Sequence, residues 1–377
     1  MLHKLFACMI LRNEAHNLHR CLKSIRELCD EIIVVDTGST DDTVKICREY
    51  GAIVYPSPSM NWRKPPIWDF SFARNESLQY CEELGADWML VIDGDESLAP
   101  LSASVEEFKI KLTKVRPDVH ALGTRVHEIK DGELKFSWWG TRFFKANKGV
   151  HYEGICHNRP KLIGAYAAGT DIVLYHHGYI DREVMDPKRV RTLTLLEKRL
   201  NQNPDDYEAY YYKCLTLLGM DKYDDGIQAG EKALQMLNDK INGDHNRLNY
   251  FGALYYSIGW AYFRKWKKTY NQEFADRAYQ WWVTGWEFWP DDIDLNYSLC
   301  NIGYLGNNLK MVRLHGDAYL KAIDKFKKEL VMPLDRFENN LHIEDLALGS
   351  RHIHLATSYH ETVIKNMMSE MEKQEAA

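Results

Sequence analysis

The chain has 377 residues, 45% of them hydrophobic, and 48 Lys and Arg stand against 54 Asp and Glu for a net charge of −6. That length allows two or three domains with proper cores, and the acidic balance argues against a general nucleic-acid binder, which would be basic. The 8 cysteines are scattered without a CxxC pair, which disfavours a disulfide framework or a zinc ribbon and fits reduced thiols in the cytoplasm.

No apolar run reaches membrane-spanning length. Leu5 to Leu11 reads as a first strand: Met1 to Leu11 is broken by His3 and Lys4 and is followed at once by Arg12-Asn13-Glu14, which does not suit a secretory leader. Leu18, Cys21, Leu22, Ile25 and Leu28 recur at helical spacing. Ile32 to Val35 is a β-branched run of the kind buried in parallel sheets. It ends in Asp36-Thr37-Gly38-Ser39-Thr40-Asp41-Asp42-Thr43, a glycine turn opening a helix over Val44 to Tyr50. Ala52 to Tyr55 predicts a third strand, Pro56 to Ile67 a loop, Phe72 to Leu84 a helix and Trp88 to Ile92 a fourth strand. Strand and helix alternate throughout, which predicts an α/β domain with a mostly parallel sheet covered on both faces. Val105 to Val115 reads as a helix, Ala121 to Ile129 and Leu134 to Trp139 as a hairpin about Asp131-Gly132, and Arg142 to Lys145 and Ile172 to Tyr175 as further strands.

From about Pro187 the pattern is helical only. Tyr207 to Gly219 and Tyr223 to Leu237 form one predicted helix pair. Gly219, Gly259 and Gly303 mark units 40 and 44 residues apart, longer than the tetratricopeptide period of about 34. Trp260, Trp266, Trp281, Trp282, Trp286 and Trp289 sit at helical spacing. They serve either as packing between helix pairs or as a groove or dimer surface.

Trp88 to Ile92 stops in Asp93-Gly94-Asp95-Glu96. Acids at the carboxyl end of a buried strand lie where open α/β sheets bind ligands. Two hard oxygen donors at that spacing suit Mg²⁺ or Mn²⁺ carrying a nucleotide diphosphate, and Gly94 frees the backbone to turn between them. Asp36 ends its own strand on the same rim, beside Arg12-Asn13-Glu14. Its carboxylate suits a base or ribose; the alternative, a helix cap, fits Ser39 or Asp41 better. Arg74 and Asn75 open a helix, which suits a diphosphate. An ion pair of Arg74 with Asp69 or Glu76 is the alternative.

Four stretches, Ile10 to Glu14, Val34 to Thr43, Asp69 to Glu76 and Asp87 to Glu96, together resemble the glycosyltransferase family 2 enzymes of GT-A fold, especially those with a tetratricopeptide-like tail. The resemblance implies a GT-A domain over residues 1–186 and an all-α tetratricopeptide-like domain over 187–377. It implies hexosyl or pentosyl transfer, inverting, from a nucleotide-sugar donor such as a UDP-sugar, with a divalent metal. Arg12, Asn13, Glu14, Asp36, Gly38, Ser39, Asp41, Arg74, Asp93 and Gly94 would hold the donor. Asp95 would bind the metal, with Asp93 nearer the ribose or a second shell. Leu174-Tyr175-His176-His177-Gly178-Tyr179 resembles the family's late His-x-Gly-Tyr and offers His176 as a further metal ligand, with His177 in reserve. Tyr152-Glu153-Gly154-Ile155-Cys156-His157-Asn158 resembles the family's Glu-Gly-x-x-His-Glu but has Asn158 in place of the last Glu. Glu153 then becomes the expected base, and Glu96 the alternative. Trp138 and Trp139 either stack on a sugar or pack in the core.

The acceptor is open among a protein or peptide, a glycan, a lipid-linked glycan and a modified nucleobase. The helical half would bind that acceptor or a second copy of the chain as a homodimer. A non-catalytic adaptor is the rival reading, favoured only by Asn158. A nucleotidyltransferase would need a glycine-rich basic loop where Arg12-Asn13-Glu14 stands.

Overall fold

The structure, a computed structural model, describes residues 2–57, 69–101, 104–130, 133–167, 172–177, 182–241, 250–331 and 358–376. They fall into two compact units, one made by residues up to 177 save 134–136, the other by residues 182–331 and 358–376.

The first unit begins as the sequence predicts. Strands β1 (Leu5–Leu11), β2 (Glu31–Asp36), β3 (Ile53–Pro56) and β4 (Trp88–Val91) alternate with helices α1 (Ala15–Ile25), α2 (Thr43–Glu49) and α3 (Phe70–Glu83). β1 runs parallel to both β2 and β4, and β2 to β3. The pleat of β1 divides its residues between two cores. Leu5, Ala7, Met9 and Leu11 join Leu18, Leu22 and Ile25 of α1, while Phe6 and Cys8 join Leu78 and Cys81 of α3. Both faces are covered, so the strands can be apolar throughout.

The later part is more elaborate than the sequence suggests. It contains β5 (Glu96–Leu98), α4 (Val105–Thr113), β6 (Val119–Lys130), β7 (Glu133–Lys145), β8 (His151–Glu153), β9 (Arg159–Lys161), β10 (Ala165–Ala167) and β11 (Val173–His176). Arg142 to Lys145 is not a separate strand; it is the end of β7, which pairs antiparallel with β4. β5, β8, β9 and β10, three residues each, are too short to leave a periodic signal. Asp131-Gly132 and most of Pro56 to Ile67 lie outside the described residues.

The strand order is β3-β2-β1-β4-β7-β6-β11-β5, with β10 beside β6, while β8 and β9 pair separately. Glu96 N donates to the Asp93 carbonyl at 3.0 Å, a tight turn that keeps the start of β5 within about 7 Å of Asp93. Four spacings of a flat sheet would put β5 about 19 Å from β4. The sheet therefore curls, and its β5 edge returns to the carboxyl end of β4.

The second unit is helical: α5 (Arg182–Gln202), α6 (Tyr207–Gly219), α7 (Tyr223–Ile241), α8 (Tyr250–Thr269), α9 (Gln272–Phe288), α10 (Ile293–Leu305), α11 (Leu309–Val331) and α12 (Ser358–Ala376). Pro187 lies inside α5 rather than ahead of it. Helices α6 and α7, α8 and α9, and α10 and α11 pack as hairpins. Asp206 and Asp292 accept from Ala209 N and Leu295 N at 3.0 and 2.8 Å and so cap α6 and α10. Each follows a Pro-Asp pair, and they stand 86 residues and two hairpins apart. Trp282 is buried against Gly259, where an added Cβ would come within 2.4 Å of its indole nitrogen, so this tryptophan serves packing. Among the described residues no helix is long and apolar enough to cross a membrane.

Candidate active site

Two rims meet at the carboxyl ends of β1 and β2. Asn13, in the left-handed region at φ 55°, accepts from Thr40 N on its side-chain oxygen at 2.7 Å, and its own N–H donates to Ser39 Oγ at 3.0 Å. Asp36 accepts from Gly38 N and Ser39 N at 3.2 Å. Asp41 accepts from Ala15 N at 3.1 Å and from Thr43 N at 3.0 Å. Burial pushes the Asp41 carboxyl up, and the Thr43 and Ala15 hydrogen bonds together outweigh that and lower it. Glu14 N donates to Thr43 Oγ1 at 2.8 Å. Arg12 is half-buried at the end of β1. The structure thus brings the predicted rim residues together, knitted into one turn pair.

Gly94 is needed for close approach. An added Cβ would lie 2.8 Å from Leu11 Cδ2 and 3.1 Å from Glu14 Cγ. The turn it carries is thereby pressed against the first rim.

Around that turn lies a buried charge cluster. Arg74 Nη2 donates to Asp93 Oδ1 at 2.8 Å, and Arg142 Nη1 stands 3.6 Å from Asp93 Oδ2. Arg74 thus pairs with Asp93. Asp69 instead caps α3 by accepting from Ser71 N, and Glu76 accepts from Ser57. Burial pushes the Asp93 carboxyl up, but the two guanidinium groups outweigh it and hold it well below the usual carboxylate range. Glu96 has no exposed surface. Its Oε2 accepts from Asp93 N at 2.9 Å, and its Oε1 pairs with Arg142 Nη2. Burial is the main reason its carboxyl is pushed up to about 7, against the pull of Arg142.

His176 completes the cluster. In register it faces Glu96 across β5 and Glu128 across β6. Its Nδ1 donates to Glu128 Oε2 at 2.5 Å, and its Nε2 lies 3.5 Å from Asp95 Oδ2. Burial pulls its pKa down, but the bonds to Asp95 and Glu128 win and raise it to about 10. His177 is engaged differently: its N donates to the Asp95 carbonyl at 2.9 Å and its ring meets Ser97. Gly178 and Tyr179 lie outside the described residues.

Glu153 lies on a different strand from these acids. It is exposed on β8, 3.2 Å from His151 Nε2 and 3.7 Å from Lys161 Nζ. Its neighbour Tyr152 points the other way, buried with its ring 5.3 Å from the Arg74 guanidinium carbon. Asn75 reaches this strand rather than open solvent: its amide donates to Tyr152 O at 3.0 Å and accepts from Tyr152 N at 2.6 Å. Nothing is described of the Trp138 and Trp139 side chains.

The sequence model described as "Glycosyl transferase family 2" matches residues 6–161, the stretch that holds both rims and the acidic turn. Residues 6–161 are a glycosyl transferase family 2 domain. Relatives of the chain include the glycosyltransferase SunS of Bacillus phage SPbeta, 27% identical over 60% of this chain and 52% of that protein. A TPR repeat-containing protein of Synechococcus elongatus is 29% identical over 60% of this chain and 55% of that one. An uncharacterized glycosyltransferase of Rickettsia felis is 41% identical over 26% of this chain and 31% of its own length. The chain therefore spans about half the length of the first two relatives. Among solved structures, glucosyl-3-phosphoglycerate synthase from Mycobacterium tuberculosis, in complex with Mn²⁺, UDP and glucosyl-3-phosphoglycerate, matches at 21% identity. That match covers 34% of this chain and 45% of that one, with a TM-score of 0.23.

Two members of the family 2 domain's charge cluster escaped the sequence reading, Glu128 and Arg142. Glu128 occupies an inward position of β6, in step with the buried Leu122, Thr124 and Val126. An acid on the apolar phase of an alternating strand was the available signal. Arg142 had none, because it comes beside the Asp93 turn only through the antiparallel pairing of β7 with β4.

Proposed function

We propose that this chain is a metal-dependent, inverting glycosyltransferase whose donor is a nucleotide-diphosphate sugar, a UDP-sugar on this reading. The observation that carries it is the approach of Asp95 Oδ2 and His176 Nε2 to 3.5 Å beside the Asp93–Arg74 pair. One carboxylate and one imidazole at that separation fit a shared Mn²⁺ or Mg²⁺ at bonds of about 2.1 Å. Among the described residues no group of three or more His, Cys, Asp or Glu is arranged to hold an ion. The remaining positions then fall to donor phosphates and water, the usual state of an ion carried with a nucleotide. When bound, the ion neutralises charge building on the leaving diphosphate.

The chain's own residues do the rest. Arg12, Asn13, Glu14, Asp36, Gly38, Ser39 and Asp41 form the rim that would receive the nucleoside. Asp93, fixed by Arg74, would face the ribose, while Arg74 and Arg142 supply positive charge for the diphosphate. Gly94 keeps the turn pressed against that rim. Glu153, the exposed carboxylate on β8, would take the acceptor's proton. Glu96 is unsuited to that task, since both its oxygens are engaged and none of its surface is exposed. The hairpins of the second unit suit a macromolecular acceptor, a peptide or protein before a small glycan or nucleobase, or a second copy of the chain. All 8 cysteines are buried, as thiols kept in a reducing cytoplasm would be.

Calorimetric titration of UDP, GDP and dTDP, with Mn²⁺ and then with chelator, tests this. One nucleotide should bind, more tightly with the ion, and Asp95→Ala should remove the ion's contribution. Binding of no nucleotide by folded protein would overturn the reading.

A further inference from the structure

We propose that Glu128 is the positioning residue of this site: it holds His176 from behind and aims the second ring nitrogen at the ion that Asp95 would share. The inference rests on the proposed metal site and assigns a task within it to a residue that touches neither ion nor sugar. Glu128 on β6 and His176 on β11 are register partners on adjacent parallel strands, so their side chains leave the sheet on the same face. Glu128 is 2% exposed and His176 5%. A carboxylate can only accept, so the 2.5 Å contact puts a proton on Nδ1 and leaves Nε2 directed at Asp95 Oδ2, 3.5 Å away.

Packing alone would be served by an aliphatic residue, as at Leu122 and Val126 on the same phase of β6. A buried acid is costly unless its bond does something. Among the described residues no donor reaches Glu128 Oε1, so the bond to His176 is what holds this carboxylate in place. The torsion that swings an imidazole about its stem is broad, and the grip of Glu128 removes that freedom. Carboxylates that orient a metal-binding histidine in this way change metal affinity by about 10- to 100-fold when removed.

The test is the affinity of full-length protein for Mn²⁺ in the presence of UDP, read by electron paramagnetic resonance of free Mn²⁺. Glu128→Leu should weaken Mn²⁺ binding about 10- to 100-fold and leave UDP binding in chelator unchanged. Glu128→Gln, whose amide oxygen still accepts from Nδ1, should lose less, and it carries the test if the leucine variant does not fold. Glu128→Leu combined with His176→Ala should bind Mn²⁺ no more weakly than His176→Ala alone. The inference is overturned if both Glu128 variants bind Mn²⁺ as wild type does, or if the losses multiply in the double variant; the donor reading survives either result. Wild type that binds UDP but no Mn²⁺ would remove the metal site, and this inference with it.

Discussion

Glu96 has no exposed surface, yet it is a carboxylate with two engaged oxygens. Such a group is tolerated only while its partners stay. Arg142 is the main one, and it also serves Asp93. Arg142→Ala should therefore destabilise the first unit by about 3–5 kcal/mol, the cost of leaving buried charge uncompensated. Arg142→Lys should recover only part, because a single ammonium cannot span both carboxylates as a guanidinium fork does. Urea midpoints of the two variants check this, and equal midpoints for wild type and alanine would refute it. Glu153 tests a different kind of claim. It is exposed and paired only loosely with His151 and Lys161, so Glu153→Gln should leave stability and UDP binding intact. Its turnover should fall by about 10²-fold or more if it takes the acceptor's proton. Turnover within threefold of wild type would move the base elsewhere.

Between elements, the α10–α11 hairpin carries a buried histidine. His315 Nδ1 meets Asn296 Oδ1 at 3.0 Å, and the Asn296 amide is turned that way by donating to Pro290 O and Asp292 O. The Trp286 ring lies edge-on at 5.1 Å. Burial lowers the His315 pKa from 6.5 to about 4. The folded value lies below the unfolded one, so between these two pH values the unfolded chain binds a proton that the folded chain refuses. The stability of this hairpin is then whole above about pH 6.5 and declines as pH falls toward 4. His315→Gln should flatten that decline by on the order of 1–2 kcal/mol, read as urea midpoints at pH 7 and pH 4.5. The same hairpin shows what was legible at this scale. The glycine spacing suggested three units, and three hairpins stand among the described residues. The sharper mark was the Pro-Asp-Asp at 204–206 and again at 290–292, whose last Asp caps a helix. It was hidden because the middle hairpin lacks it.

For the molecule as a whole, legibility follows sequence distance. Strands β1 to β4 could be read because each is a short buried run next to its helix, and Asp36, Asp93 and Asp95 could be placed because each terminates such a run. His176 was singled out through a resemblance, and its contact with Glu128 came only through register between β6 and β11, which no local pattern encodes. Arg142 depended on the antiparallel pairing of β7 with β4, which joins distant parts of the sequence. Each unit has its own core, one set on the strands and the other on the hairpins. Separate cores give separate unfolding events when little else couples them. Calorimetry of the full chain should then show two transitions. A donor nucleotide with Mn²⁺ binds only the first unit on the proposed reading, so it should raise one transition and leave the other in place. At a hundredfold excess over Kd the gain is about 2.7 kcal/mol, and Asp95→Ala should shrink it. A single transition that shifts as a whole would show that the two units unfold together, and a shift of the helical transition alone would place the nucleotide elsewhere.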